Sequence, residues 1–368
     1  MRPRIKRAHA PTLTTDKKVR IGGDIYGIAS EIDDPSGIIW RTLQLLDGTR
    51  TVGQVHADLS DRPSSPSRDV VESLVGQLTK LGFVEDADAD PPAGLSDRDL
   101  ERHERGIALM SWMDRSGETN PWASLRRMRE AKVLVLGMGG TGSMVCDALV
   151  RAGVGAIHVV EPDLVEVSNL NRQILFRNED IGASKLDVGL ARLRAVAADT
   201  EITGESCTIG SADDIATMAQ DFDVFALCAD SPPEIRSWAS RASWRSGVPW
   251  VHGGYSGPLA TVGLFDPAES DAPCYECVKD TARSQVPADA ETWSGDTDGP
   301  QAANVVSANL TGIWVAHYVI AALTGVPALP RNESVAFNLV APRETLVFEA
   351  EERRPNCPTC GAEGWGRG

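Results

Sequence analysis

Residues 132–142 read KVLVLGMGGTG, five residues rich in branched apolar side chains followed by a glycine run. The apolar half is a short strand, and residues 141–152 carry a helical pattern. Gly137, Gly139, Gly140 and Gly142 therefore sit between a strand and a helix. Glycine lets the backbone turn sharply and come close to a phosphate. The first N–H groups of a helix lack partners within it, and with the helix dipole they favour an anion. The spacing alone is common, but in this context it predicts a bound nucleotide. The next apolar run, Ala156–Val160, is a second strand that delivers Glu161. An acid at that point, about 20 residues past the glycines, can accept hydrogen bonds from ribose hydroxyls. To this point a nicotinamide-dependent dehydrogenase fits as well as an ATP-using enzyme.

Downstream, strands and helices alternate. Helices are expected over 184–197 and 234–246, and strands over 224–228 and 249–252. Such alternation builds a mostly parallel sheet with helices on both faces. Strands at 260–265, 334–339 and Thr345–Phe348 extend it, and 302–323 is a long helix. The expected class is α/β, a Rossmann-like, mostly parallel sheet with an antiparallel extension.

Upstream, 1–17 reads as a flexible lead-in. A hairpin follows over 18–27, with Val19, Ile21, Ile25 and Tyr26 flanking a turn at Gly22, Gly23 and Asp24. Helices are expected at 38–46, 52–59 and 70–81, and a closing strand at 82–84. Residues 18–85 would form a small α+β domain of winged-helix-like layout. The acidic, Pro/Gly-rich stretch 86–94 (DADADPPAG from 86, less its first acid's neighbour Glu85) is a linker, and 95–368 the second domain.

The chain has 368 residues, 42% of them hydrophobic, which suits a soluble protein of two or three domains. Its formal net charge of −16 argues against nonspecific binding to nucleic acid. No run of 18 apolar residues occurs, so no membrane span is expected, and the N-terminus lacks a secretory signal. A cytoplasmic enzyme is the expectation.

The segment after Glu161 departs from any dehydrogenase. Residues 161–176 read EPDLVEVSNLNRQILF. This closely resembles the D-x-D-x-V-x-x-S-N-L-x-R-Q-x-L segment of the ThiF/MoeB/ubiquitin-activating family. Further matches follow the family's order: LSDRDLERHER over 95–105, Lys185 in GASK, Cys228 to Ser231 in CADS, and two CxxC pairs. The resemblance covers about residues 95–361 and implies an adenylyltransferase that joins a carboxylate to AMP from ATP. It implies that Arg172 and Lys185 hold the phosphates and that Asp230 binds Mg²⁺. Asn169 and Gln173 would position the nucleotide, beside Glu161 and Asp163. Arg105 matches an arginine that enters the neighbouring subunit's site, implying a homodimer in which it acts in trans.

Chemistry agrees with this set. A carboxylate and ATP repel each other, so a site joining them must supply cations, a metal and fixed donors. Three positions depart from the family: Glu161 stands for Asp, Ser231 for Asn, and Gly106 follows Arg105 where the family has Gln.

Cys274 and Cys277 form one CxxC pair, Cys357 and Cys360 another. Two such clips supply four thiolates, the complement of a closed structural Zn²⁺ site. Cys146, Cys207 and Cys228 are expected in a helix, a strand and a strand end, in apolar surroundings. The Gly/Asp-rich stretch 266–301 is expected to cross the active site. No added domain with a catalytic cysteine is visible, so the acyl-adenylate would pass to a nucleophile supplied from elsewhere.

Roughly the first 90 residues are extra to the simplest family members. A hairpin followed by three helices, with Gly27, Leu46, Asp47, Gly48, Thr51, Val52, Leu81, Gly82 and Phe83, resembles the PqqD-like elements that recognise leader peptides in ribosomal peptide (RiPP) biosynthesis. The pair of resemblances implies a peptide-modifying enzyme of the microcin-C type, whose partner is a precursor peptide bound through its leader. The alternatives are adenylation of a ubiquitin-like sulfur-carrier protein, and a non-catalytic leader-binding scaffold for a partner cyclodehydratase.

Overall fold

Residues 132–136, read above as a strand, run through the interior of an eight-stranded sheet in the computed structural model. The structure describes residues 1–23, 28–60, 65–197, 199–269, 271–284 and 302–361. They form two units, Met1–Arg127 and Met128–Gly368. The acidic stretch 86–94 lies inside the first of them.

In the first unit the order is β1 (Pro3–Ile5), β2 (Thr12–Leu13), β3 (Lys18–Ile21), β4 (Ser30–Asp33), α1 (Ile38–Leu45), α2 (Val52–Leu59), α3 (Arg68–Lys80), β5 (Val84–Asp86) and α4 (Asp97–Met113), with α5 (Ala123–Glu130) running across the boundary. Val19 and Ile21 alternate with partly exposed residues along β3 and are fully buried. They meet Leu43, Val55, Val71, Leu78 and Phe83 from the helices and the approach to β5. Local chemistry sets the helix starts. Thr51 and Gln54 form a capping box at α2, and Ser96 and Asp99 form another at α4.

Two expectations need correcting here. Residues 1–17 are not a loose lead-in: β1 pairs antiparallel with β5, and β2 with β3. The buried Lys6 also donates from Nζ to the Asp114 carbonyl at 2.9 Å. The hairpin partner of β3 is β4, at Ser30–Asp33; Ile25 and Tyr26 lie outside the described residues.

The second unit contains β6 (Lys132–Leu136), α6 (Gly140–Ala152), β7 (Ala156–Val160), α7 (Lys185–Val196), β8 (Glu201–Glu205), α8 (Ala212–Ala219), β9 (Val224–Leu227), α9 (Ile235–Ser246), β10 (Trp250–Ser256), β11 (Leu259–Phe265), α10 (Tyr275–Ser284), α11 (Val305–Thr324), β12 (Glu333–Asn338) and β13 (Thr345–Phe348). The sheet order is β13-β12-β11-β10-β9-β6-β7-β8. Strands β10, β9, β6, β7 and β8 are parallel, while β11, β12 and β13 continue antiparallel from β10. This is the expected fold class.

Both faces of the sheet are covered, which is why β6 is an unbroken apolar run. Val133 and Val135 enter one core, and Leu134 and Leu136 the other. Trp250 stacks on Phe225 at 5.9 Å and meets Tyr275 edge-on at 5.5 Å, which seats the start of α10 on the sheet. Helix α11 is long and apolar enough to cross a membrane by length and composition, yet half of that window is buried. Its Gly312 lies so close to α6 that a Cβ there would stand 2.7 Å from the Thr141 carbonyl oxygen. That packing explains the apolar composition as the core helix of a sheet protein.

Candidate nucleotide-binding site

Parallel strands place their C-terminal ends on one edge of the sheet, and ligands of open α/β sheets bind there. In the second unit β6, β7 and β9, and the turns that follow them, enclose a cavity of about 430 Å³. That is within the range of small-molecule pockets. Gly137, Gly139, Gly140, Glu161, Asp163, Asn169, Arg172, Gln173, Lys185 and Asp230 all line it.

The floor is the glycine loop. Gly137 turns with φ +94°, and a Cβ there would meet the Ala229 nitrogen at 2.9 Å. Beyond it Gly140 opens the 13-residue helix α6, whose free N–H groups face the cavity end. A Cβ on Gly140 would crowd the Ala308 Cβ at 3.0 Å and the Tyr255 Oη at 3.2 Å. Gly142 does not line the cavity. Its role is packing: a Cβ there would stand 1.9 Å from the Gly137 carbonyl oxygen.

Glu161 is 4% exposed and braces this loop. One of its carboxylate oxygens accepts from the Met138 N–H at 2.6 Å and the other from the Asp163 N–H at 2.9 Å. A carboxylate keeps further lone pairs for a ribose hydroxyl. Asp163 in turn receives the Lys185 ammonium at 2.9 Å. Lys185 is 5% exposed at the first position of α7, so its stem is fixed and its charge partnered.

The turn after β7 supplies the amides and the arginine. Asn169 Oδ1 accepts from the Glu166 N–H at 3.0 Å, and the buried Gln173 Oε1 has no hydrogen-bond partner. Arg172 donates to the Ser168 carbonyl at 2.8 Å and to Asn171 Oδ1 at 2.9 Å, leaving its buried Nε without a partner. Tyr255 also lines the cavity, and burial pushes its phenol above the usual range. Buried polar atoms left without partners are uncommon, and in a pocket they are positions that a water, an ion or a ligand can complete.

The opposite wall comes from β9, α9 and β10. Asp230 is exposed and makes no hydrogen bond or ion pair among the described residues. Arg236, Gly253, Gly254 and Tyr255 also line this side. None of these four was singled out from the sequence. The strand expected over 249–252 ends before Gly253 and Gly254. They continue the strand instead: a Cβ on Gly253 would stand 2.2 Å from Val315 Cγ2 of α11.

The thiols near the pocket are neutral. Burial pushes the Cys146 thiol up to about 12 and drives Cys228 well above the ordinary thiol value. Cys207 also lines the cavity, in the turn after β8 and not in a strand, and burial and Glu205 raise it as well. Low-pKa thiolates are the reactive ones, so none of these three has the character of an acyl-accepting nucleophile.

Arg105 is not one of the residues lining the cavity. It lies on α4 in the first unit, exposed and without a hydrogen bond or ion pair among the described residues. The four cysteines also lie away from the cavity. Cys274, Cys277, Cys357 and Cys360 are buried with their sulfurs all within 4.8 Å of one another. Trp244 packs on the cluster, with the Arg353 guanidinium 4.6 Å above its ring. Four converging thiols fit a tetrahedral metal such as zinc. Of the stretch 266–301, residues 266–269 and 271–284 form a turn and α10, and 270 and 285–301 lie outside the described residues.

The model of the ThiF family matches residues 108–359. The chain belongs to the ThiF family. Among curated ThiF-type relatives, the sulfur carrier protein ThiS adenylyltransferase of Bacillus subtilis is 28% identical over 240 residues, 65% of this chain and 67% of that one. The sulfur carrier protein adenylyltransferase of Thermus thermophilus is 30% identical over 251 residues, 64% of this chain and 84% of that one. The chain spans about half the length, 49%, of the adenylyltransferase and sulfurtransferase uba4 of Emericella nidulans, at 31% identity. Among solved structures, E. coli MccB superposes with a TM-score of 0.79 at 20% identity, covering 100% of this chain and 98% of MccB. PaaA superposes with a TM-score of 0.69 at 21% identity. At these identities the likeness to the solved structures is one of fold.

Proposed function

We propose that this ThiF-family chain adenylates a carboxylate of a ribosomally made precursor peptide. A carboxylate oxygen attacks the α-phosphorus of ATP, the bond from that phosphorus to the bridging oxygen breaks, and pyrophosphate leaves. The helix α6 N-terminus, Arg172 and Lys185 neutralise charge on the phosphates, and the Gln173 amide supplies a further polar contact. Asp230, a hard oxygen donor with no partner among the described residues, would hold Mg²⁺, which screens phosphate charge when bound. The cysteine cluster would hold structural zinc. Arg105 would act in the site of a second copy, making the active unit a homodimer.

The observation that carries the peptide reading is coverage. The curated sulfur-carrier relatives match about two thirds of this chain, 64–65%, whereas the MccB fold covers all of it. MccB has been solved with MccA and with ATP. The first unit then has a use: a leader peptide adds as a strand to an edge of the β2–β3–β4 sheet. Holding the leader raises the local concentration of the reacting end at the ATP site. The second reading, activation of a small sulfur carrier, draws on the names of the curated relatives.

ATP–pyrophosphate exchange separates the two readings. Exchange stimulated by a peptide encoded beside this chain, and lost when its leader is removed, supports the first. Stimulation by a Gly-Gly-ending carrier protein alone supports the second. The absence of exchange with both partners overturns adenylation as the function.

A further inference from the structure

The sheet order gives the cavity a direction. From β8 through β7, β6 and β9 to β10, the strand ends supply Ile209, Glu161, the glycine loop, Asp230 and Tyr255 in turn. Glu161 marks the ribose side and the α6 N-terminus the phosphates. The wall made by α9 and β10 lies past them and matches none of the motifs read from the sequence.

Arg236 stands on that wall. It follows the first residue of α9, is half-buried, and makes no hydrogen bond or ion pair among the described residues. Its Nη2 lies 2.6 Å from where a Cβ on Gly254 would stand. Glycine at 254 therefore leaves the space that the guanidinium fills against β10. The neighbouring His252 is held neutral by burial and donates to or accepts from Ser334 Oγ at 2.8 Å. It does not compensate the guanidinium. A half-buried cation without an anion is costly, and in a ligand cavity the missing anion is the ligand. The phosphates already have the helix terminus, Arg172 and Lys185. A planar guanidinium matches the two oxygens of a carboxylate.

We propose that Arg236 binds the carboxylate that is to be adenylated, and that Gly254 is kept small to let it do so. The inference rests on the adenylation reading above. In the reaction one carboxylate oxygen becomes the bridge to the α-phosphorus, and the other stays on Arg236 as the acyl carbonyl oxygen. No proton moves, and pyrophosphate carries away the electron pair of the broken bond.

The test is calorimetry on the full chain with three probes: ATP, 5′-O-sulfamoyladenosine, and 5′-O-(N-glycylsulfamoyl)adenosine, which adds an acyl carbonyl. The wild type should bind the glycyl compound about tenfold or more tightly than its parent. Arg236→Gln and Gly254→Ala should each remove most of that gain and leave the ATP affinity within about threefold. Arg236→Lys, which keeps the charge but not the fork, should fall between. A gain that survives in both Arg236→Gln and Gly254→Ala overturns the proposal. So does a loss of ATP or pyrophosphate binding in place of the acyl gain, which would make Arg236 a phosphate residue. A wild type that binds ATP yet gains nothing from the acyl group also overturns it, with ATP recognition intact. A wild type that binds none of the probes overturns the adenylation reading itself.

Discussion

The two walls of the cavity are built differently. On the β6–β7 side the charges are partnered within the protein. Lys185 has Asp163, Glu161 has two backbone N–H groups, and Arg172 has Ser168 and Asn171. On the β9–β10 side Asp230 and Arg236 have no partner among the described residues. The first wall holds its shape before any ligand arrives, which is how fixed donors avoid reorganisation during reaction. The second wall carries charges that only a ligand can satisfy. Binding therefore divides, with the nucleotide meeting a largely partnered surface, open at Arg172 Nε and Gln173 Oε1, and the metal and acyl group completing a wall whose charges have no partner among the described residues.

The largest effect that would break this contrast concerns catalysis. Arg172→Ala and Asp230→Ala should each lower pyrophosphate exchange on the order of a thousandfold. Asp230→Ala should leave the fold untouched, since the side chain is exposed and unpaired. A loss below tenfold for either would mean that these charges do not carry the chemistry.

Stability should respond next, and away from both walls. Chelating the cysteine cluster, or Cys357→Ser, should lower the melting temperature by several degrees, because a structural metal contributes folding energy directly. ATP affinity of the folded fraction should hold. A chain with no bound zinc by atomic absorption would remove the basis for this.

Gly142→Ala sharpens the claim that the first wall is prebuilt. Its Cβ would meet backbone, the Gly137 carbonyl oxygen at 1.9 Å, so the loop must shift. A cost of about 1–3 kcal/mol in denaturant unfolding is expected, with weaker ATP binding measured alongside. An unchanged unfolding midpoint would mean that the loop yields freely.

The smallest effect is pH. Burial pushes His252 down to about 3 and His9 down to about 4, and lowers His317 as well. Each binds a proton more readily unfolded than folded, so stability is complete above the ordinary histidine value of 6.5 and falls as pH drops below it. The lowered carboxylates, such as Asp180, act only below their ordinary 3.8. A thermal melt followed from about pH 7 to about pH 5 spans the ordinary histidine range, where the three histidines outweigh the single half-buried Glu333, whose raised carboxyl acts in the opposite sense above its ordinary 4.5. A flat profile there would mean that these imidazoles take up protons as easily folded as unfolded.

What the sequence made legible was local. The β6–loop–α6 run, the acid after β7 and the paired cysteines each announce themselves within a few residues, because glycine conformation, helix capping and thiol spacing are local physics. Pairing over long separations was not. Residues 3–5 join 84–86 across most of the first unit, and nothing in either triplet specifies the other. Arg236 escaped for a related reason. Its place in the cavity depends on β9 and β10 being neighbours and on β10 continuing through Gly253, against which α11 packs, to Gly254, which faces Arg236. Glu161 was read as a ribose ligand from its position; its bond to the Met138 N–H adds a bracing role that spacing cannot reveal.

The cysteine clip closes a ring in the chain. Its two halves, at 274–277 and 357–360, bracket everything from α10 to the last strand. With a metal in place, a protease cut at any exposed bond between them would break the covalent thread and still leave the two pieces tethered. Even after the sheet between them is unfolded by denaturant, they would travel as one particle until a chelator let them part.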